Sequence, residues 1–296
     1  MNRLWRFVLY IEEGENVTRW VQILALVVLM AATAASAQAS QMLNIYLDKD
    51  AFLAHDISAA DIRIRPEGMV RVTRHSLWPW DEAGTQWSLF VEIENTSAER
   101  IVIDEDWLIA CRANRDEIAT ADYVLEATTN RFSPGERIVL YAGAYPYAAA
   151  KHAGADAALD VWNVEGLSDF AGRIRQAEIL RLRLDTRDAG ENRNWQAVPI
   201  EPRVWVEGRT LHFEWLNDTD ELLEFRTVGA VMNDESGHIV DVIRQTASRG
   251  AVVAPGETLC FEKALAPYVT QEMADGAAYE AFAYRLPNGS APAPGQ

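Results

Sequence analysis

The chain repeats itself. Leu89-Phe-Val-Glu-Ile-Glu-Asn95 returns as Leu211-His-Phe-Glu-Trp-Leu-Asn217, with a leucine, a glutamate and the asparagine in register 122 residues apart. Ser133-Pro134-Gly135-Glu136 returns as Ala254-Pro255-Gly256-Glu257, and Pro146-Tyr147 as Pro267-Tyr268, both 121 residues apart. Several matches in one order at nearly one spacing mark a duplication. The period is far longer than a solenoid unit and has the size of a whole domain. The chain must therefore solve one folding problem twice.

Each copy reads as strands separated by turns. The two seven-residue stretches alternate apolar and polar side chains, as half-buried strands do. Each ends in asparagine followed by short polar residues, Thr96-Ser97 or Asp218-Thr219, which hydrogen-bond their own backbone and turn the chain. Pro134-Gly135 and Pro255-Gly256 are type II turn pairs: proline sets φ at the first corner and glycine takes the positive φ at the second. In the second copy, Asn233-Asp-Glu-Ser-Gly237 lies between two apolar runs and predicts a hairpin. The first copy has Arg112-Ala-Asn-Arg-Asp-Glu117 at that place, without the glycine, which predicts a looser connection. Alanine-rich stretches after each Pro-Tyr, Ala148 to Ala158 and Val269 to Ala274, predict short helical caps. Strands with turns every ten or so residues and no strand-helix alternation predict an all-β fold, one sandwich per copy.

Val228-Gly-Ala-Val-Met-Asn-Asp-Glu-Ser-Gly237-His-Ile-Val240, followed by Ala254-Pro255-Gly256-Glu257, resembles bacterial extracytoplasmic immunoglobulin-like domains of the FxLYD type. The likeness covers most of the second copy and, more weakly, the first. Val231-Met232-Asn233 departs from it, standing where such domains carry an aromatic pair. The resemblance implies two tandem immunoglobulin-like β-sandwich domains in the cell envelope, without catalysis, and transfers no functional residues. The expected boundaries are a signal peptide or membrane anchor at 1–37, the first copy at 38–177, the second at 178–288 and a flexible tail at 289–296.

The N-terminus explains the expected location. Arg3, Arg6 and Arg19 precede an apolar run from Val21 to Ala35, and Ala35-Ser36-Ala37 follows as a small-x-small cleavage pattern. The run has about 15 residues against the ~20 that span a bilayer as a helix, so the segment is either a cleaved signal or a short retained anchor. The chain is expected to be exported: extracellular, periplasmic, or anchored and facing outside. Its formal charge of −17, spread along the sequence, disfavours nucleic acid and anionic lipid surfaces as partners. Membrane contact is expected only through the N-terminal segment, if that is uncleaved.

Motifs that carry chemistry are missing. No Cys-x-x-Cys, His-Glu-x-x-His, Gly-x-Ser-x-Gly or phosphate-cradling glycine loop occurs, and the five histidines are far apart. No enzyme and no cofactor are expected. Asp218, Asp220 and Glu221, crowded at one turn, are a calcium candidate beside the simpler reading of solvated turn carboxylates. Cys111 and Cys260 fall at non-equivalent places in the two copies and read as buried, unpaired thiols on strands. The least ordinary stretch is Leu77-Trp78-Pro79-Trp80-Asp81-Glu82, within about 12 residues that the first copy has and the second lacks. Two tryptophans around a proline in a loop either pack down or bind something, with Trp78 and Trp80 supplying area and Asp81 and Glu82 polar contacts. Trp107, Trp205 and Trp215 are expected in the core or on sheet faces. The leading expectation is a non-catalytic binding or adhesion module for an envelope protein or glycan. The alternatives are a structural or assembly component and, last, an enzyme with a site between the copies.

Overall fold

The computed structural model describes residues 41–54, 61–79, 87–112, 117–142, 176–188 and 196–285. The first copy contains β1 (Gln41–Asp48), α1 (Lys49–Leu53), β2 (Ile62–Arg65), β3 (Val70–Pro79), β4 (Trp87–Asn95), β5 (Ile101–Cys111), β6 (Glu117–Val124), β7 (Glu126–Ala127), β8 (Arg131–Phe132), β9 (Arg137–Ala142) and β10 (Ile179–Asp188). The second contains β11 (Gln196–Ala197), β12 (Arg203–Glu207), β13 (Thr210–Leu216), β14 (Leu223–Asn233), β15 (Ile239–Val253), β16 (Thr258–Ala264), α2 (Gln271–Asp275) and β17 (Ala278–Arg285). The fold is all-β and sandwich-like.

Four sheets result, with every pairing among the described strands antiparallel. Sheet 1 has the order β2-β1-β10-β5-β6, with β8 also on β5, and sheet 2 the order β3-β4-β9-β7. Sheet 3 has the order β11-β17-β14-β15 and sheet 4 the order β12-β13-β16. The duplication is visible strand for strand. β1-β10-β5-β6 has its counterpart in β11-β17-β14-β15, and β3-β4-β9 in β12-β13-β16. The copies differ in one connection: β15 runs unbroken along β14, whereas in the first copy the chain leaves β5 after β6, pairs β7 with β9 in sheet 2, and returns as β8.

Ile179–Asp188 corrects the expected boundary at 177/178. This strand pairs with both β1 and β5, and its Leu180, Leu182 and Leu184 enter the same core as Leu43, Ile45 and Leu47. It completes the first copy, so the junction lies between Asp188 and Gln196. A last strand that must bury three leucines has its place in the sheet that supplies their neighbours, whatever its position in sequence.

The shared landmarks turn out to be one lock used twice. Asn95 and Asn217 are buried, and a buried amide must have its bonds made. Asn95 Nδ2 donates to the carbonyls of Glu99 (2.7 Å) and Phe132 (3.1 Å), while Oδ1 accepts from Ser97 N (3.0 Å) and Oγ (2.7 Å). Asn217 repeats this with Glu221 (2.9 Å), Val253 (3.0 Å) and Thr219 N (3.2 Å) and Oγ1 (2.7 Å). The Pro-Gly turn closes on the same residue: Gly135 N and Gly256 N each donate, at 2.8 Å, to the carbonyl of their copy's asparagine. Both glycines have φ near +77°, the conformation the turn requires (77° and 76°). Glu136 and Glu257 then accept from the backbone N–H three residues before them, at 2.7 and 2.9 Å. The repeat is thus a record of folding needs.

Three apolar layers hold the four sheets in a stack. One core lies between sheets 1 and 2 and includes Leu43, Phe52, Val91, Leu108, Phe132 and Leu182. Another lies between sheets 3 and 4 and includes Leu211, Phe213, Trp215, Phe225 and Val240. A third, smaller layer joins sheet 2 to sheet 3: Phe90 and Val139 meet Val231, Ile239 and Val242, with Trp78, Tyr141 and Phe282 packed against them. Both copies therefore belong to one compact unit.

Among the minor expectations, the second-copy hairpin is present: Gly237 has φ 82°, and Asp234 accepts from Ser236 N (2.9 Å) and His238 N (2.8 Å). α2 provides a short cap after Pro267-Tyr268; Thr270 caps it by accepting from Met273 N at 3.1 Å. The Ala148 to Ala158 stretch and residues 113–116 of the first-copy connection lie outside the described residues, as do the N-terminal 1–40 and the 289–296 tail.

Candidate functional site at the seam between the copies

The seam is where the molecule concentrates polar groups away from water. β4 and β14 show why it forms: β4 is buried on both faces from Ser88 to Ile93, and β14 is buried continuously from Thr227 to Asn233. A strand covered on both sides must find a partner for its second face. By contrast β13 alternates strictly, with Leu211, Phe213 and Trp215 in the core and the residues between them facing outward.

Arg74 is the centre of the arrangement. From β3 in sheet 2 its guanidinium donates to Asn233 Oδ1 (3.0 Å) and to both carboxylate oxygens of Glu280 (2.8 Å each) in sheet 3. It also makes a close ion pair with Glu92 on β4. The Glu92 side chain is 5% exposed and takes a further bond from Thr73 Oγ1 (2.5 Å), with Arg137 at 3.8 Å. Burial alone would disfavour charge on Arg74, but the hydrogen bonds it donates to Glu92 and Glu280, with their negative charges, outweigh it and hold its pKa above the ordinary arginine value.

Trp78 is placed in this seam, at the end of strand β3 and not in a loop, which corrects the expected setting. Its backbone pairs with Ser88, and exposed Pro79 pairs with Trp87 at the free side of the sheet, where a missing N–H is tolerated. The indole Nε1 donates to the Ile239 carbonyl (2.8 Å), and the ring stacks on Tyr268 (centroids 5.9 Å apart, planes at 8°). Trp80, Asp81 and Glu82 lie outside the described residues. Tyr268 is the repeated Pro-Tyr tyrosine, and its hydroxyl donates to the Val240 carbonyl at 2.9 Å. Burial, aided by the nearby Asp241 charge, raises its pKa well above the ordinary tyrosine value. Tyr141 on β9 is raised too, by burial first, against the opposing charge of Arg244.

A second clamp closes the far side. Arg244 of β15 donates to Glu126 Oε2 (2.8 Å) and to the Ala127 carbonyl, and Thr227 Oγ1 donates to the Thr128 carbonyl (3.1 Å). Asp241, buried on β15, accepts from Lys263 Nζ at 2.5 Å. The sequence reading missed Arg74, Glu92, Asn233, Arg244 and Glu280. The available signal was the unbroken apolar run Leu89-Phe90-Val91 on β4 and, on the other side of the seam, Val228 to Met232 on β14, which announce strands covered on both faces.

The calcium candidates behave as turn residues. Asp218, Asp220 and Glu221 are exposed, Glu221 reaches Arg285 at 3.2 Å, and among the described residues no three His, Cys, Asp or Glu side chains gather to hold a metal. Cys111 is buried as expected, but Cys260 is exposed on the outer face of sheet 4 because its neighbours Leu259 and Phe261 take the inward positions; neither forms a disulfide. Trp215 is in the core, while Trp205 lies on the sheet-4 surface, stacked on His212 (4.9 Å). Trp107 is half-buried on β5, facing Arg183 of β10.

No protein-family model matches the chain, and no curated protein is similar to it at a significant level. Among solved structures, a calcium-binding mutant of beta-glucuronidase 2 from Bacteroides uniformis aligns at 12% identity with a TM-score of 0.18, over 86% of this chain and 31% of that one. The chain spans about a third of that enzyme's length, and a likeness this weak carries no argument.

Proposed function

We propose that this chain is a non-catalytic, exported component of the cell envelope, in which two immunoglobulin-like sandwiches act as one rigid body for structure or assembly. The observation that supports this reading is the seam. Trp78, the residue best suited to capture a ligand, is engaged by Ile239 and Tyr268, and Arg74 ties sheet 2 to sheet 3 through Glu280 and Asn233. Side chains committed to holding two copies at a fixed angle serve a scaffold better than a flexible adhesin. Export rests on the Arg3 to Ala37 pattern, and a retained N-terminal segment would tether the scaffold to the membrane. No helix among the described residues is long and apolar enough to cross a membrane.

A second reading keeps a ligand, an envelope protein or glycan, at Trp80, Asp81 and Glu82, which follow directly on exposed Pro79 at the seam's edge. The two separate by mutation. Full-length protein carrying Trp80→Ala, Asp81→Ala and Glu82→Ala should still co-purify with the same stoichiometric envelope partner as the parent, whereas Trp78→Ala should loosen the seam and reduce recovery. Saturable glycan binding that disappears in the triple variant, with no stoichiometric partner in either preparation, would sink the scaffold reading.

A further inference from the structure

The first copy carries more chain than the second between its Pro-Tyr pair and its last strand. Register sets the counterparts: Arg181 pairs with Ile109, and Glu280 pairs with Val231, 122 residues further on. Tyr147 and Arg181 stand 34 residues apart, whereas Tyr268 and Glu280 stand 12 apart, a difference of 22. The extra residues fall within 143–175, which connect β9 to β10 and lie outside the described residues.

The same copy has a sheet face whose burial the stack does not account for. Leu108 and Ala110 of β5 belong to the core between sheets 1 and 2, as do their register partners Leu182 and Leu180. Alternation therefore turns Trp107, Ile109 and Cys111 to the outer face, together with their partners Arg183, Arg181 and Ile179. Ile109 is nevertheless only 4% exposed and Cys111 0%, and neither belongs to any of the three apolar layers. Toward β1 and β2 the face is open: Asp48, Arg63, Arg65 and Arg183 are exposed. In the second copy the equivalent residues are Val231 and Asn233, and they are buried because sheet 2 lies against them through Phe90, Val139 and Arg74. Sheet 1 ends the stack, and no described sheet takes that place over β5.

Residues 143–175 are the stretch placed to take it. They lead into Gln176, which is helical, and Ala177, which enters the core; Glu178 N then donates to the Cys111 carbonyl at 2.9 Å. The stretch thus ends beside the enclosed patch. Leu167, Phe170, Ala171 and Ile174 recur at i, i+3, i+4 and i+7, the spacing of one apolar helix face, just ahead of helical Gln176. Ile174 stands four residues before Glu178, a reach of about 14 Å at most, and Ile109 is about 7 Å along β5 from Cys111. The other undescribed stretches are worse placed. Residues 113–116 are Ala-Asn-Arg-Asp, too short and polar for an apolar cover, and 55–60 lead into β2 at the opposite edge of the sheet. Gln41, where the N-terminal stretch ends, pairs with Thr186 at the far end of β10.

We infer that residues 143–175 pack on the outer face of sheet 1, with Leu167, Phe170 and Ile174 covering Ile109, Cys111 and Ile179. The first copy so carries in its own chain the cover that the second receives from sheet 2. This end of the stack is closed to a further sheet, and the inference does not depend on the assembly reading above.

Full-length protein treated with N-ethylmaleimide under native conditions, and read by peptide mass spectrometry, tests it with exposed Cys260 as internal reference. Cys111 should react at least about a hundredfold more slowly than Cys260, since an enclosed thiol is reached only through local opening. Phe170→Glu combined with Ile174→Glu should raise the Cys111 rate at least about tenfold and leave Cys260 as it was. A Cys111 as reactive as Cys260 in the parent, or unchanged in the double variant, would overturn the inference. A double variant that unfolds would also expose Cys111, so a cross-link tests the contact itself. Phe170→p-benzoylphenylalanine, irradiated in the folded protein, should cross-link within residues 107–111 or 179–183 of the same molecule. Cross-links confined to residues 1–40, to sheet 4 or to a second molecule would overturn it.

Discussion

Removing Arg74 is the most informative perturbation of the seam. The Glu92 carboxylate is almost fully enclosed, and in Arg74→Ala it keeps only Thr73 Oγ1 at 2.5 Å and Arg137 at 3.8 Å. Breaking a buried ion pair from one side typically costs about 3–5 kcal/mol, because the remaining charge stays buried. The residual partners place the expected loss at the lower end, about 3 kcal/mol. Glu280, with a side chain 56% exposed, regains water when Arg74 is gone, and Glu280→Gln should cost under about 1 kcal/mol. Replacing both buried partners, as Arg74→Met with Glu92→Leu, removes the desolvated charges together and should restore most of the loss. Urea denaturation followed by tryptophan fluorescence measures each protein, and with Arg74→Met and Glu92→Leu made singly the cycle isolates the coupling between Arg74 and Glu92. The parent should unfold in one transition and Arg74→Ala in a broader or split one, as the copies lose their link. A loss below about 1 kcal/mol in Arg74→Ala, or a double variant as unstable as the single, would refute the claim that the enclosed Glu92 carboxylate depends on Arg74.

Three further outcomes are expected. Asn217→Ala leaves the Glu221 and Val253 carbonyls without their donor and should cost about 2–3 kcal/mol in the same urea assay, with Asn95→Ala similar because its network is the same. Gly229→Ala should lower Tm far more than a surface change, since the added Cβ would stand 2.0 Å from the Ile243 carbonyl oxygen and 2.8 Å from Phe282, and backbone cannot yield as a flexible side chain does. Tyr141, Tyr268 and Tyr284 have folded-state pKa values raised by burial, so their contribution is complete below the unfolded value of about 10 and is lost as pH climbs through the folded values. Urea midpoints should accordingly fall above about pH 10, and Tyr268→Phe should flatten that fall while losing the bond to Val240.

The sequence by itself carried everything that depends on neighbours along the chain. Asparagine before short polar residues, proline-glycine pairs and alternating strands are local solutions to backbone geometry, so the all-β fold, the duplication and the turns were legible. Its limits appear where a residue's role depends on what faces it across space. Ile179–Asp188 has the pattern of any strand, and only the core of Leu43, Ile45 and Leu47 decides that it belongs to the first copy. Trp78 looks available for a ligand until Ile239, 161 residues away, and the still more distant Tyr268 are brought against it. Arg74 and Glu92 look like ordinary strand charges, because nothing within β3 or β4 reveals that a second sheet covers them. Local propensity acts through a few bonds of chain, whereas burial and charge pairing act through contacts of a few ångströms that the chain reaches only after folding. The duplication was therefore written in the sequence, and the tertiary structure alone decided that its two copies close on each other through one charged seam.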